Sequence, residues 1–173
     1  MYMNSLFQYY KILLFLFFIS LNQSQITFRI LQSSALHFIP SLKLHHIVLL
    51  SDKPESYVYT LDFTPINQTY TSNLLKMLFA HNVPAEIRLR IIQTHIENTE
   101  NIIQQWDNAN KINEQLSYQL SRNTYNKITN KQIKSIVNKS LQWRPYMNLY
   151  THNCQHFSNY VKNISRTFSI GNI

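Results

Sequence analysis

The chain has one glycine, Gly171, and one cysteine, Cys154, among its 173 residues. So little glycine argues against the phosphate-cradling loops of P-loop and Rossmann nucleotide sites, which need several glycines in tight turns. One cysteine excludes an internal disulfide, so the fold must stand on its core. The thiol is then buried packing material, an intermolecular bridge or a reactive group. Acidic residues are scarce in the second half: from Gln115 onward there is no Asp or Glu, against Arg122, Lys127, Lys131, Lys134, Lys139, Arg144, Lys162 and Arg166. These cations equal the whole formal charge of +8, since residues 26–114 carry seven Lys or Arg against eight Asp or Glu and Lys11 supplies the balance. A basic C-terminal half suits an anionic membrane surface or an acidic substrate, and equally a solvated face with no partner. Nucleic acid is not expected, because no recognised binding motif accompanies the charge.

A long apolar run is also missing. Ile12 to Ile19 is unbroken but shorter than the about 20 residues an ordinary transmembrane helix needs. Preceded by Lys11 and closed by Ser20, Leu21 and a polar Asn22-Gln23-Ser24-Gln25, it has the layout of a secretory signal peptide. A clean small-residue cleavage site is absent, which leaves an uncleaved membrane anchor as the alternative. The expected organisation is residues 1–25 as signal peptide or N-terminal anchor and 26–173 as a single domain, secreted or held at a membrane. With 45% hydrophobic residues, the chain suffices for one full core.

Residues 26–36 read as a strand or a short helix. Leu42 to Leu50 is rich in branched apolar residues, and Tyr57 to Phe63 alternates; the turn residues Ser51 to Ser56 between them predict a β-hairpin. If residue 46 lies opposite residue 62, His46 and Asp62 share a face, and a register shifted by one sets His45 beside Asp62 instead. From 71 to 143 the spacing predicts helices. Leu74, Leu75, Leu78 and Phe79 mark one, begun by Thr71 or Ser72. Pro84 opens a second with Ile87, Leu89, Ile91 and Ile92. Asn98 or Thr99 caps a third carrying Ile102, Ile103, Trp106, Ile112 and Leu116, and Thr129 or Asn130 caps a fourth with Ile133, Ile136, Val137 and Leu141, ended by Pro145. Such stripes are expected in the core.

The stretch Tyr150-Thr151-His152-Asn153-Cys154-Gln155-His156-Phe157 carries the chemistry. Asn153 is a favoured N-cap, and Phe157, Tyr160 and Val161 recur at helical spacing, so Cys154 is expected in the first turn of a helix, where the dipole favours the thiolate. A cysteine nucleophile needs an imidazole to take and return a proton and a third group to orient that imidazole. Candidates are Cys154, His46 (or His45) and Asp62, with the Cys154 N–H as an oxyanion donor. A zinc site from His152, Cys154 and His156 with His45 or His46 is a further possibility, although its spacing is not that of common zinc modules. No cofactor is expected.

A strand-borne histidine, a polar group one hairpin later and a distant Asn-Cys-x-His-Phe at a helix start resemble the circularly permuted papain-like proteins of NlpC type. Among these, the lecithin:retinol acyltransferase family has a cysteine motif that differs from Asn153-Cys154-Gln155-His156-Phe157 only at Gln155; the PPPDE-type peptidases have a related stretch. The resemblance covers the hairpin and the cysteine helix. The glycine that follows the histidine strand in those proteins is absent here, and residues 71–143 have no counterpart. The resemblance implies an α+β fold with a circularly permuted papain-like core, an antiparallel sheet packed on the cysteine helix and a large helical insertion at about 71–143. It also implies a thiol-dependent hydrolase or acyltransferase acting on an ester or amide through a Cys154 thioester, with His46 (or His45) as base and Asp62 where the acyltransferases have a second histidine. The alternative is a papain-like binding protein without turnover.

Overall fold

The computed structural model of the chain describes residues 26–33, 45–52, 57–66, 71–110 and 123–170, together with Lys11. The expected signal peptide or anchor at 1–25 lies almost wholly outside these residues, as do Ile112 and Leu116.

The fold is α+β. Five strands form one sheet in the order β1 (Thr27–Ser33), β2 (His45–Ser51), β3 (Val58–Pro65), β4 (Val83–Ile92) and β5 (Tyr146–Met147), each antiparallel to its neighbours. Helices accompany it, among them α1 (Thr71–Leu78), α2 (Thr99–Asn110), α3 (Lys131–Ser140) and α4 (Cys154–Ile170). The run Ile47-Val48-Leu49-Leu50 is apolar at every position because both faces of β2 are covered. Val48 and Leu50 join Leu61, Phe63 and Leu89 beneath α3 and α4, where Ile133, Ile136, Val137, Phe157 and Val161 close the larger core. Ile47 and Leu49 face the opposite way, with Val58, Ile92 and Ile96, and are covered by Ile102 and Trp106 of α2. Among the described residues no helix is long and apolar enough to cross a membrane.

Three expectations are corrected. Residues 83–92 form a strand, not a helix: Ile87, Leu89 and Ile91 alternate with Glu86, Arg88 and Arg90 at a period of two, and the matching of Ile87 to Ile91 at i+4 is incidental. The stretch 71–143 therefore contributes an inner strand and is not a purely helical insertion. The hairpin register is one residue away from the 46-to-62 pairing, with Ile47 opposite Asp62 and Leu49 opposite Thr60, which puts His45, Ile47, Thr60 and Asp62 on one face. Finally, Leu75, Leu78 and Phe79 of the α1 stripe are not core, being 49%, 51% and 72% exposed; among the described side chains of α1 only Met77 leans on the larger cluster, and that of Leu74 lies outside the described residues. The caps read more directly. Asn130 accepts the N–H groups of Gln132 and Ile133 at the start of α3, which stops at Leu141, before Pro145 is reached.

Candidate active site

Cys154 begins α4, and Asn153 sets that start. Its Oδ1 accepts the N–H groups of Gln155 at 2.9 Å and His156 at 3.1 Å, and its Nδ2 donates to the Leu149 carbonyl at 2.7 Å. One step earlier, buried Asn148 accepts from the N–H groups of Tyr150 and Thr151 and pairs with His152 in an isolated bridge. The loop is thus held at both ends, and the thiol is presented at the helix terminus, 9% exposed.

The opposing group is the first residue of β2. His45 is buried, its Nε2 lies 3.5 Å from Asp62 Oδ2, and its ring stacks on Trp106 with centroids 5.1 Å apart. The imidazole and the Cys154 thiol also interact electrostatically. A separation of 3.5 Å is an ion-pair contact at the edge of hydrogen bonding, as is common for catalytic pairs without a bound substrate. Burial works to lower the His45 pKa, but hydrogen bonding to Asp62 and to Cys154 outweighs it and raises the imidazole to about 9. Burial works to raise the Cys154 thiol. The His45 side chain and the N–H groups of His46 and of Cys154 itself outweigh it, and the thiol is held below its ordinary value. The two shifts run in the sense of a thiolate–imidazolium pair.

Asp62 is fully buried and is the hub of the site. Arg88 Nε lies 3.4 Å from Oδ2, Arg90 Nη1 lies 3.7 Å from Oδ1, and Trp106 Nε1–H donates to Oδ1 at 3.1 Å. The strand register explains this gathering: Asp62 pairs with Arg88, Thr60 pairs with Arg90, and side chains two apart on a strand share a face. Burial alone would raise the carboxyl pKa; Arg88 first, then His45 and Arg90, hold it well below the usual carboxylate range.

His46, the expected base, points elsewhere. Its Nε2 faces the amide nitrogen of Gln32 at 3.3 Å and its Nδ1 lies 3.0 Å from Ser158 Oγ, whose hydroxyl donates to the Gln155 carbonyl. With the amide donating to Nε2, the ring proton sits on Nδ1, a neutral tautomer consistent with a pKa lowered by burial and by His45. Its backbone serves the thiol, and its side chain ties β2 to α4. The structure therefore brings together Cys154, Asp62 and His45, the second of the two adjacent histidines considered. Arg88, Arg90 and Trp106 were not singled out as partners of Asp62, although the Glu86-x-Arg88-x-Arg90 alternation carried the signal.

The other histidines of the motif are engaged separately. His152 stacks on Trp143 with centroids 4.3 Å apart and contacts the Arg144 carbonyl through Nε2, and His156 Nδ1 meets Asn153 Oδ1. Among the described residues no group of three His, Cys, Asp or Glu is placed to hold a metal ion. A scan of protein-family models and searches of curated proteins and of solved structures found no match to this chain.

Proposed function

We propose that the protein is a thiol-dependent hydrolase or acyltransferase acting on an ester or amide, built on a permuted papain-like core. One arrangement carries the reading: His45 meets the buried carboxylate of Asp62 at 3.5 Å, and the His45 imidazole and the Cys154 thiol each favour the other's charged form. The order of parts also agrees, with the histidine on one strand, the carboxylate on the next and the cysteine on a late helix packed against both. The Cys154 sulfur attacks the acyl carbon to form a C–S bond, and the oxyanion is received by the Cys154 N–H in the first helical turn. His45 passes its proton to the leaving alkoxide or amine as the C–O or C–N bond breaks. Water or an acceptor hydroxyl then attacks the thioester, His45 takes the proton released, and the thiolate departs. Asp62 keeps the imidazole oriented throughout.

A second reading, a binding protein without turnover, is favoured by the burial of Cys154, 9% exposed, and by an open cleft of about 370 Å³ lined by Gln142, Trp143, Arg144, His152 and Tyr160. Intact mass spectrometry separates the two. After incubation with activated acyl esters and with peptide amides, a hydroxylamine-sensitive acyl adduct is expected on the wild type and on no Cys154→Ala protein. Absence of any adduct, with thiol alkylation no faster than that of free cysteine, would establish the binding reading instead.

A further inference from the structure

α1 ends in a turn that projects apolar side chains into solvent. The His81 N–H bonds the Lys76 carbonyl at 2.8 Å and the Ala80 N–H bonds the Met77 carbonyl at 3.1 Å, the two bonds of a Schellman motif. The left-handed residue of that motif is Ala80, at φ 60°, where glycine is usual and costs less. This conformation is held from outside: Asn148 Nδ2 donates to the Ala80 carbonyl at 2.7 Å and to Asn82 Oδ1 at 3.2 Å, and Tyr150 Oη donates to the Leu78 carbonyl at 3.1 Å. The projecting turn is therefore fastened to the loop that presents Cys154. Its outer surface is Leu75, Leu78 and Phe79, with Tyr150, 59% exposed, beside them.

Position and charge identify what this surface meets. Because β2 and β3 are antiparallel, His45 and Pro65 lie at the same end of the sheet, and β4 begins there beside β5. The apolar turn and the thiol thus share one end of the molecule. Residues 63–85 and 115–173 contain no Asp or Glu, while Lys76 flanks the apolar stripe and Arg144 lies beside β5. Glu86, the first acid beyond the turn, lies on the opposite face of β4 with Arg88. Exposed apolar side chains at a helix end suit a fluid interface, which requires no matching cavity, and an aromatic hydroxyl beside them suits the headgroup layer.

We infer that this end of the molecule docks on an anionic phospholipid surface, with Leu75, Leu78 and Phe79 entering the acyl boundary and Lys76 and Arg144 meeting the headgroups. Docking there would set the thiol against the bilayer whatever bond it acts on, and it does not depend on the thiol's chemistry.

The test uses the full chain carrying Cys154→Ala, which removes the only native cysteine. A single cysteine is then introduced by Leu75→Cys, by Phe79→Cys or, at the far end of β3, by Tyr57→Cys, roughly 30 Å from Ile66 at the strand's rise per residue. Each is labelled with an environment-sensitive fluorophore. With vesicles of phosphatidylcholine containing about 30% phosphatidylserine, a blue shift and severalfold brightening are expected at 75 and 79 and not at 57; added salt or pure phosphatidylcholine should suppress them. Lys76→Gln should weaken vesicle affinity about fivefold. No response at 75 and 79, an equal response at 57, or a response that grows with protein concentration without vesicles would each overturn the inference, the last because a second copy then covers the patch. Cys154 is absent throughout, so failure here is separate from failure of the thiol chemistry.

Discussion

Asp62→Asn tests how much of the fold rests on the site's charge. Asparagine has nearly the same shape and still accepts from Trp106 Nε1, so the substitution removes little but the negative charge. That leaves Arg88 and Arg90, only 10% and 12% exposed, facing a buried neutral group. Removing one partner from a buried ionic cluster costs about 3–5 kcal/mol, because the remaining charges stay desolvated. At about 2–4 °C per kcal/mol for a chain of this size, the melting temperature should fall by roughly 6–20 °C. Glu97→Gln is the internal control. It breaks a short ion pair, Arg29 to Glu97 at 2.7 Å, but Glu97 is 67% exposed there. Solvent screening limits that loss to well under about 1 kcal/mol. Thermal unfolding followed by circular dichroism measures both. An Asp62→Asn protein that melts within about 2 °C of the wild type would refute the reasoning, since the buried carboxylate would then not be balancing the cations around it.

The pH dependence of stability should carry two opposing signs. His45, raised from 6.5 to about 9, contributes stability in full below pH 6.5 and loses it as pH rises toward 9. Cys154, held below its ordinary value, contributes in full above 9.0 and loses that contribution as pH falls through its folded pKa, so its slope opposes that of His45. In Cys154→Ser only the His45 slope remains, supported by Asp62, and denaturant unfolding should show stability falling above pH 6.5 by less than about 3 kcal/mol, whereas a flat profile would contradict the raised imidazole. Trp106→Phe keeps a ring against His45 but deletes the donor to Asp62 Oδ1, at an expected cost of about 2 kcal/mol in chemical denaturation; no loss would mean that the indole N–H is immaterial to the carboxylate.

The parts of the site written in local sequence were legible, and those set by pairing were not. Asn153 before an apolar helical stripe located the start of α4 and the thiol on it, and Asn98 or Thr99 and Asn130 located α2 and α3 in the same way. The hairpin was equally plain from its turn residues. Which histidine meets Asp62 depends on a one-residue register, fixed by the cores on either face, and adjacent histidines at a strand start leave that open. Reading β4 as a helix hid Arg88 and Arg90, because Ile87 and Ile91 satisfy both periods and only the intervening charges break the tie. The α1 stripe exposes the limit of amphipathic reasoning: Leu75, Leu78 and Phe79 define a face, but spacing alone does not say whether protein, solvent or another surface covers it.

The most direct measurement is the pH profile of iodoacetamide alkylation at Cys154 in the wild type, His45→Gln and His46→Gln. If His45 supports the thiolate, the wild-type rate should rise with an apparent pKa below the ordinary thiol value of 9.0. His45→Gln should move that rise to higher pH than an ordinary thiol, since burial then acts unopposed by the imidazole, and His46→Gln should leave it close to the wild type. A wild-type thiol that titrates at or above its ordinary value, or a His46→Gln shift as large as that of His45→Gln, would contradict the assignment.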